Sequence, residues 1–102
     1  MISAHIEIPE DKLIAFCERY PIHKLSLFGS VLHEGFKPNS DVDVLVEYEP
    51  DARVTYLDMA QHEMELSAIF GRRVDLREPE ELSPYFRHNV LEIAVPLYER
   101  AG

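Results

Sequence analysis

The run Leu27-Phe28-Gly29-Ser30, followed after ten residues by Asp41-Val42-Asp43, carries most of what this sequence says about its fold. Lys24-Leu25-Ser26-Leu27-Phe28 reads as a short strand that runs straight into Gly29-Ser30, and Val31-Leu32-His33-Glu34 can form one helical turn before Gly35. A glycine where a strand opens into a helical turn lets backbone N–H groups approach an anion, and the Ser30 hydroxyl can donate one more bond to a phosphate oxygen. Taken alone, Gly-Ser is also ordinary turn and N-cap chemistry. Pro38-Asn39-Ser40 marks a turn, after which residues 41–48 alternate as a strand. Val42, Val44, Val46 and Tyr48 share one face, while Asp41, Asp43, Leu45 and Glu47 share the other.

Two carboxylates at i and i+2 of a strand project to the same side, about 6.5–7 Å apart at Cα, so Asp41 and Asp43 can converge on a hard cation. An isolated Asp-x-Asp reads more readily as a turn at Ser40-Asp41 followed by an Asp43 that points to solvent from an edge strand. Asp75 shifts that balance. Residues 72–77 read as a third strand, with Val74 and Leu76 on one face and Asp75, an acid between apolar neighbours, on the opposite one. If the two strands are adjacent, Asp41, Asp43 and Asp75 form one acidic cluster beside the Gly29-Ser30 anion site. That combination suits a nucleoside triphosphate and two Mg²⁺ ions about 3.5–4 Å apart, clamping the attacking and leaving oxygens of an in-line displacement. Asp41 and Asp43 would hold the metals. Asp75 would complete one metal site and accept the proton of an incoming hydroxyl.

Outward from this centre, Leu13, Phe16, Cys17 and Tyr20 predict an amphipathic helix after Pro9 that ends before Pro21. A second helix is predicted over 54–70, with Leu57, Ala60, Met64 and Ala68 on its core side, Leu66, Ile69 and Phe70 widening the stripe, and Gly71 as its stop. Two further helical stretches are predicted near 80–86 and from about 87, the last ending or kinking where Pro96 removes an N–H. His5, His23, His62 and His88 lack metal-ligand spacing and read as surface or partly buried groups. Met59 and Met64 read as core filler.

Composition bounds the remaining possibilities. With 102 residues, 46% hydrophobic, no repeats and no low-complexity tract, one domain over 1–102 is expected, with no room for a separate substrate domain. Ten Lys plus Arg against nineteen Asp plus Glu leave a net charge of −9, which argues against general nucleic-acid binding. The lone Cys17 forms no internal disulfide and sits in an apolar stripe, so a packed thiol in a reducing, cytoplasmic compartment is expected. No stretch approaches the roughly 20 apolar residues of a membrane span, and no basic segment followed by an apolar run opens the chain.

Phe28-Gly29-Ser30, the ten-residue spacer, Asp41-Val42-Asp43 with Leu45-Val46 after it, Val74-Asp75-Leu76 and the run Asn89-Val90-Leu91-Glu92-Ile93-Ala94-Val95-Pro96-Leu97-Tyr98 resemble the minimal nucleotidyltransferases (MNT) of the DNA polymerase beta superfamily. The resemblance covers most of the chain from Leu25 onward. It implies an α/β (α+β), polymerase-beta-like nucleotidyltransferase fold, a small mixed sheet flanked by helices. It also implies Mg²⁺ and ATP, and transfer of AMP to a hydroxyl with release of pyrophosphate. Similar small proteins are encoded beside HEPN-domain toxins and act as antitoxins by adenylylating a toxin tyrosine, so a cognate HEPN toxin is the implied partner, in a homo- or hetero-oligomer. Where family members commonly carry basic residues after Gly-Ser, this chain has Val31, Leu32 and His33, and Lys37 is the nearest unambiguous cation. That difference supports an alternative, a module of the same fold that neutralises its toxin by binding. Small-molecule transfer, as in aminoglycoside-modifying relatives, would need an added substrate domain.

Overall fold

The computed structural model describes residues 1–37 and 39–101. Pro38, the first residue of the expected turn before Asp41, lies outside the described residues. The chain opens with a two-stranded antiparallel hairpin, β1 (Ile2–Ser3) with β2 (Ile6–Glu7), and continues into helix α1 (Glu10–Arg19). The main sheet is built from β3 (Ile22–Phe28), β4 (Val42–Tyr48), β5 (Val74–Arg77) and β6 (Val95–Glu99) in the order β5-β4-β3-β6. The β4–β5 pair is parallel, whereas β3 is antiparallel to both of its neighbours. Helices α2 (Tyr56–Phe70) and α3 (Pro84–Ile93) complete the α+β arrangement.

Local chemistry sets the helix ends. Glu10 and Asp11 sit in the first turn of α1 and Arg19 in its last, both favourable toward the helix dipole. Beyond that end, the Arg100 guanidinium donates to the carbonyls of Cys17 (2.9 Å) and Tyr20 (3.3 Å), so a residue 80 positions away satisfies acceptors the helix leaves free. Thr55 and Asp58 form a reciprocal capping box on α2, and Gly71, at φ 70°, ends it in the left-handed conformation that favours glycine.

The valine face of β4 packs as its alternation predicts: Val42, Val44 and Val46 are buried with Leu25 and Leu27 of β3 and with Leu13, Phe16 and Cys17 of α1. Burial among these apolar groups pushes the Cys17 thiol up to about 12, which makes it a packing group with little thiolate at neutral pH.

Three expectations are corrected. In α2 the buried residues are His62, Leu66 and Phe70, and the predicted core side carrying Leu57, Ala60, Met64 and Ala68 faces solvent. Two side chains fix that rotation by bonding the edge of β5. Ser67 Oγ accepts the Val74 N–H (2.9 Å), and the Glu63 carboxylate accepts the Leu76 N–H (2.8 Å). Met64 is consequently a surface residue and not core filler. Secondly, the last helix ends before Pro96 as expected, but the chain then continues as a strand over residues 95–99 that the helical reading did not include. Pro96 is tolerated because β6 is an edge strand with a register shift beside it. The two helical stretches expected there are a 3-10 turn (Pro79–Glu81) and the single helix α3.

Thirdly, His62 is buried, at 4% exposure. Its Nδ1 lies 2.8 Å from the Tyr48 hydroxyl, and its ring packs against Tyr20 (4.3 Å between centroids) and edge-on to Phe16 (5.9 Å). Burial holds its pKa below the usual histidine value, partly opposed by Asp58 and Glu65. The unfolded chain therefore takes up this proton first as pH falls. The stability His62 supplies is present above about pH 6.5 and is lost as pH drops through its lower native value. Urea unfolding at pH 7.5 and 5.5 should show a loss at the lower pH that shrinks in His62→Asn; an equal loss in both proteins would contradict this assignment.

No helix among the described residues is long and apolar enough to cross a membrane.

Candidate active site

The site begins where β3 stops. Phe28 is extended, Gly29 takes φ 76°, and residues Gly29–Leu32 form a 3-10 turn closed by the His33 N–H on the Ser30 carbonyl (3.0 Å). Phe28 pairs with Asp43 across β3 and β4, which brings Gly29 against the Asp43 side chain. A Cβ at position 29 would overlap the Asp43 carboxyl group, so both the φ angle and the close approach call for glycine. The Ser30 backbone N–H acts on that same carboxylate to lower its pKa.

On its other side, Asp43 is directly opposite Asp75 in the parallel β4–β5 register. Asp43 is half-buried, and its pKa is raised, first by burial and then by the negative charges of Asp75 and Asp41, against the lowering effects of the Ser30 N–H and Arg77. The three carboxylates are therefore brought within electrostatic reach of one another, beside Gly29 and Ser30. Asp41 precedes β4 at the same end, where the Val42 N–H bonds the Arg73 carbonyl (2.9 Å).

Two residues outside the sequence-based site set complete this surface. Arg77 donates through Nε (3.2 Å) and Nη2 (3.3 Å) to the two oxygens of Asp75, and Arg73 Nε lies 4.0 Å from Asp41. The alternation Arg73-x-Asp75-x-Arg77 would have placed both arginines on the Asp75 face of β5. Asp43 has no such paired guanidinium. His33 and Lys37 are exposed.

A cavity of about 170 Å³ is lined by Asp41, Glu63, Arg73, Asp75 and Arg77. A larger cleft, about 450 Å³, lies at the far end of β4 between Glu47–Pro50 and Glu78–Glu80. Its acidic lining would repel a polyphosphate, so size does not mark the site here.

The donor set fits a hard divalent cation. Three carboxylates supply oxygen ligands, and the like-charge crowding that raises the Asp43 pKa is what such an ion relieves. Among the described residues no three of these side chains converge on one point; Asp75 and Asp41 are turned toward Arg77 and Arg73.

Comparison with known proteins agrees with the fold. The family model of the nucleotidyltransferase domain matches residues 11–97. The chain is 29% identical over 84 residues to a Methanocaldococcus jannaschii protein assigned as a protein adenylyltransferase, spanning 82% of this chain and 88% of that one. A solved structure described as a minimal nucleotidyltransferase, 29% identical, superposes with a TM-score of 0.71 over 92% of this chain and 99% of that chain. A chain of the complex between a tri-AMPylated Shewanella oneidensis HEPN toxin and MNT antitoxin, 19% identical, superposes with a TM-score of 0.62 over 89% of this chain and 70% of that chain.

Proposed function

The chain belongs to the nucleotidyltransferase domain family, and from that premise we propose that it is an antitoxin-type protein adenylyltransferase that moves AMP from ATP to a tyrosine hydroxyl of a cognate HEPN toxin in the cytoplasm. The observation that carries this reading is the placement of Asp43 between Gly29 and Asp75, with Asp41 at the same end of the sheet. In the Shewanella oneidensis complex the toxin is the AMPylated component, which supports a protein acceptor here.

Asp41 and Asp43 would hold Mg²⁺, with Asp75 completing one site. When bound, the metal would neutralise polyphosphate charge and favour the deprotonated form of the attacking hydroxyl. The backbone at Gly29 and the Ser30 hydroxyl would hold the outer phosphates. Asp75 would take the proton of the incoming hydroxyl as its oxygen bonds the α-phosphorus, while the bond from that phosphorus to the β-phosphate oxygen breaks and pyrophosphate leaves. That proton transfer requires Asp75 to exchange its Arg77 contact for the substrate. The Arg77 side chain is half exposed.

The test is direct. Purified chain with Mg²⁺ and ATP labelled at the α-phosphate should label its purified cognate HEPN toxin, and ATP labelled at the γ-phosphate should not. A toxin that stays unlabelled in both reactions overturns the proposal.

The second reading is a binding module with little catalysis. It is favoured by Val31, Leu32 and His33 after Ser30, which provide no fixed cation for a triphosphate. Under it, Asp43→Ala should neutralise the toxin in cells as well as the wild type does; under the enzyme reading that variant fails to neutralise.

A further inference from the structure

Asp75 sits on a strand that the sheet alone holds weakly. Strand β5 has four residues, lies at an edge of the sheet and has β4 as its one paired strand. Asp43, directly opposite, carries like charge; its pKa, raised first by burial and then by Asp75, registers a repulsion that works to part the two strands.

The outer edge of β5 is closed by one helix. Ser67 Oγ accepts the Val74 N–H (2.9 Å) and the Glu63 carboxylate accepts the Leu76 N–H (2.8 Å), so the residues on both sides of Asp75 are held from α2. The Ser67 hydroxyl donates in turn to the Glu63 carbonyl (2.8 Å), which leaves its oxygen lone pairs for the strand. The spacing matches: four residues of helix rise about 6 Å and two residues of strand about 6.6 Å, so an i, i+4 pair on α2 meets an i, i+2 pair on β5. Glu63 also lines the small cavity beside Asp41 and Asp75. We propose that Glu63 and Ser67 are positioning residues that hold the Asp75 backbone opposite Asp43, a role that rests on the adenylyltransferase reading for the reaction it serves. Gly29 and Ser30 follow β3, on the other side of Asp43, so loss of the clamp slows the chemical step and spares nucleotide binding.

The test uses Glu63→Met, which keeps the length and loses the acceptor, Glu63→Gln, which keeps an acceptor oxygen, and Ser67→Ala. Asp58→Ala is the matched control, because it deletes the acceptor of the Thr55 N–H at the start of the same helix and does not touch β5. With the cognate HEPN toxin as acceptor, Glu63→Met and Ser67→Ala should each lower kcat by about tenfold or more, with the KM for ATP within about twofold of wild type and Glu63→Gln within about threefold in kcat. Mn²⁺ affinity, read by electron paramagnetic resonance with a non-hydrolysable ATP analogue and no toxin, should fall by about tenfold in the same two variants and stay near wild type in Glu63→Gln. Wild-type kcat and Mn²⁺ affinity in either Glu63→Met or Ser67→Ala overturn the proposal. An equal loss in Glu63→Gln overturns it by assigning the effect to charge, and an equal loss in Asp58→Ala does so by assigning it to helix stability. A wild-type chain that modifies no toxin overturns the adenylyltransferase reading instead; the Mn²⁺ series then decides the placement of Asp75 by itself, with wild-type affinity in Glu63→Met counting against it.

Discussion

Asp43→Asn is expected to cut AMP transfer by about a thousandfold or more while leaving the fold intact, the scale on which loss of one preorganised charged contact acts in a transition state. Asparagine keeps the shape of the side chain, so the change removes charge and little else. That charge does not serve the fold. Asp75 has Arg77 and Asp41 has Arg73, but Asp43 is half-buried among like charges without a paired guanidinium. A pKa raised on folding means that Asp43 favours the folded state most at acidic pH, and this contribution is lost as pH rises through its native pKa. Removing the charge should therefore leave the urea midpoint at pH 7.5 unchanged or higher. A large fall in that midpoint would assign Asp43 a structural role instead.

Gly29→Ala is expected to damage stability and transfer together. The left-handed φ of 76° costs a non-glycine residue about 1–3 kcal/mol, and the new methyl would also press on the Asp43 carboxyl group. For a domain of this size that corresponds to a melting temperature lower by about 4–8 °C for each kcal/mol. Transfer should fall by more than stability alone accounts for, because Asp43 must move. Two variants separate the effects: Gly29→Ala combined with Asp43→Ala should regain part of the lost stability, since the crowded carboxyl is gone while the backbone strain stays. A double variant no more stable than Gly29→Ala, or fully active Gly29→Ala protein, would show that the close approach is not needed.

Much of this site was legible in the sequence, for a physical reason. Strand alternation is rigid enough that Asp41-x-Asp43 and Val74-Asp75-Leu76 announce which side each acid takes before the sheet is known. The register was not legible. That Asp43 faces Asp75 depends on β4 and β5 being parallel neighbours, which local patterns do not encode. The arginines on either side of Asp75 had a signal, the same alternation, but carboxylates draw the eye in an acidic chain.

The misread elements share another cause. Both faces of α2 are apolar, so periodicity leaves its rotation open, and the decision falls to Ser67 and Glu63 bonding the β5 edge. His62 looks like a surface histidine until Tyr48, fourteen residues earlier on a different element, supplies its hydrogen bond. The strand that contains Pro96 follows a sound stop signal. What the stop does not reveal is that β3 still has a free edge to fill.

The central claim is that this chain adenylylates a protein through Asp43. Intact-mass spectrometry of the HEPN toxin tests it most directly, after incubation with Mg²⁺, ATP and either the wild type or Asp43→Asn. The toxin should gain whole increments of AMP with the wild type and none with Asp43→Asn. An unmodified toxin with the wild type, or equal modification by both proteins, would contradict the account.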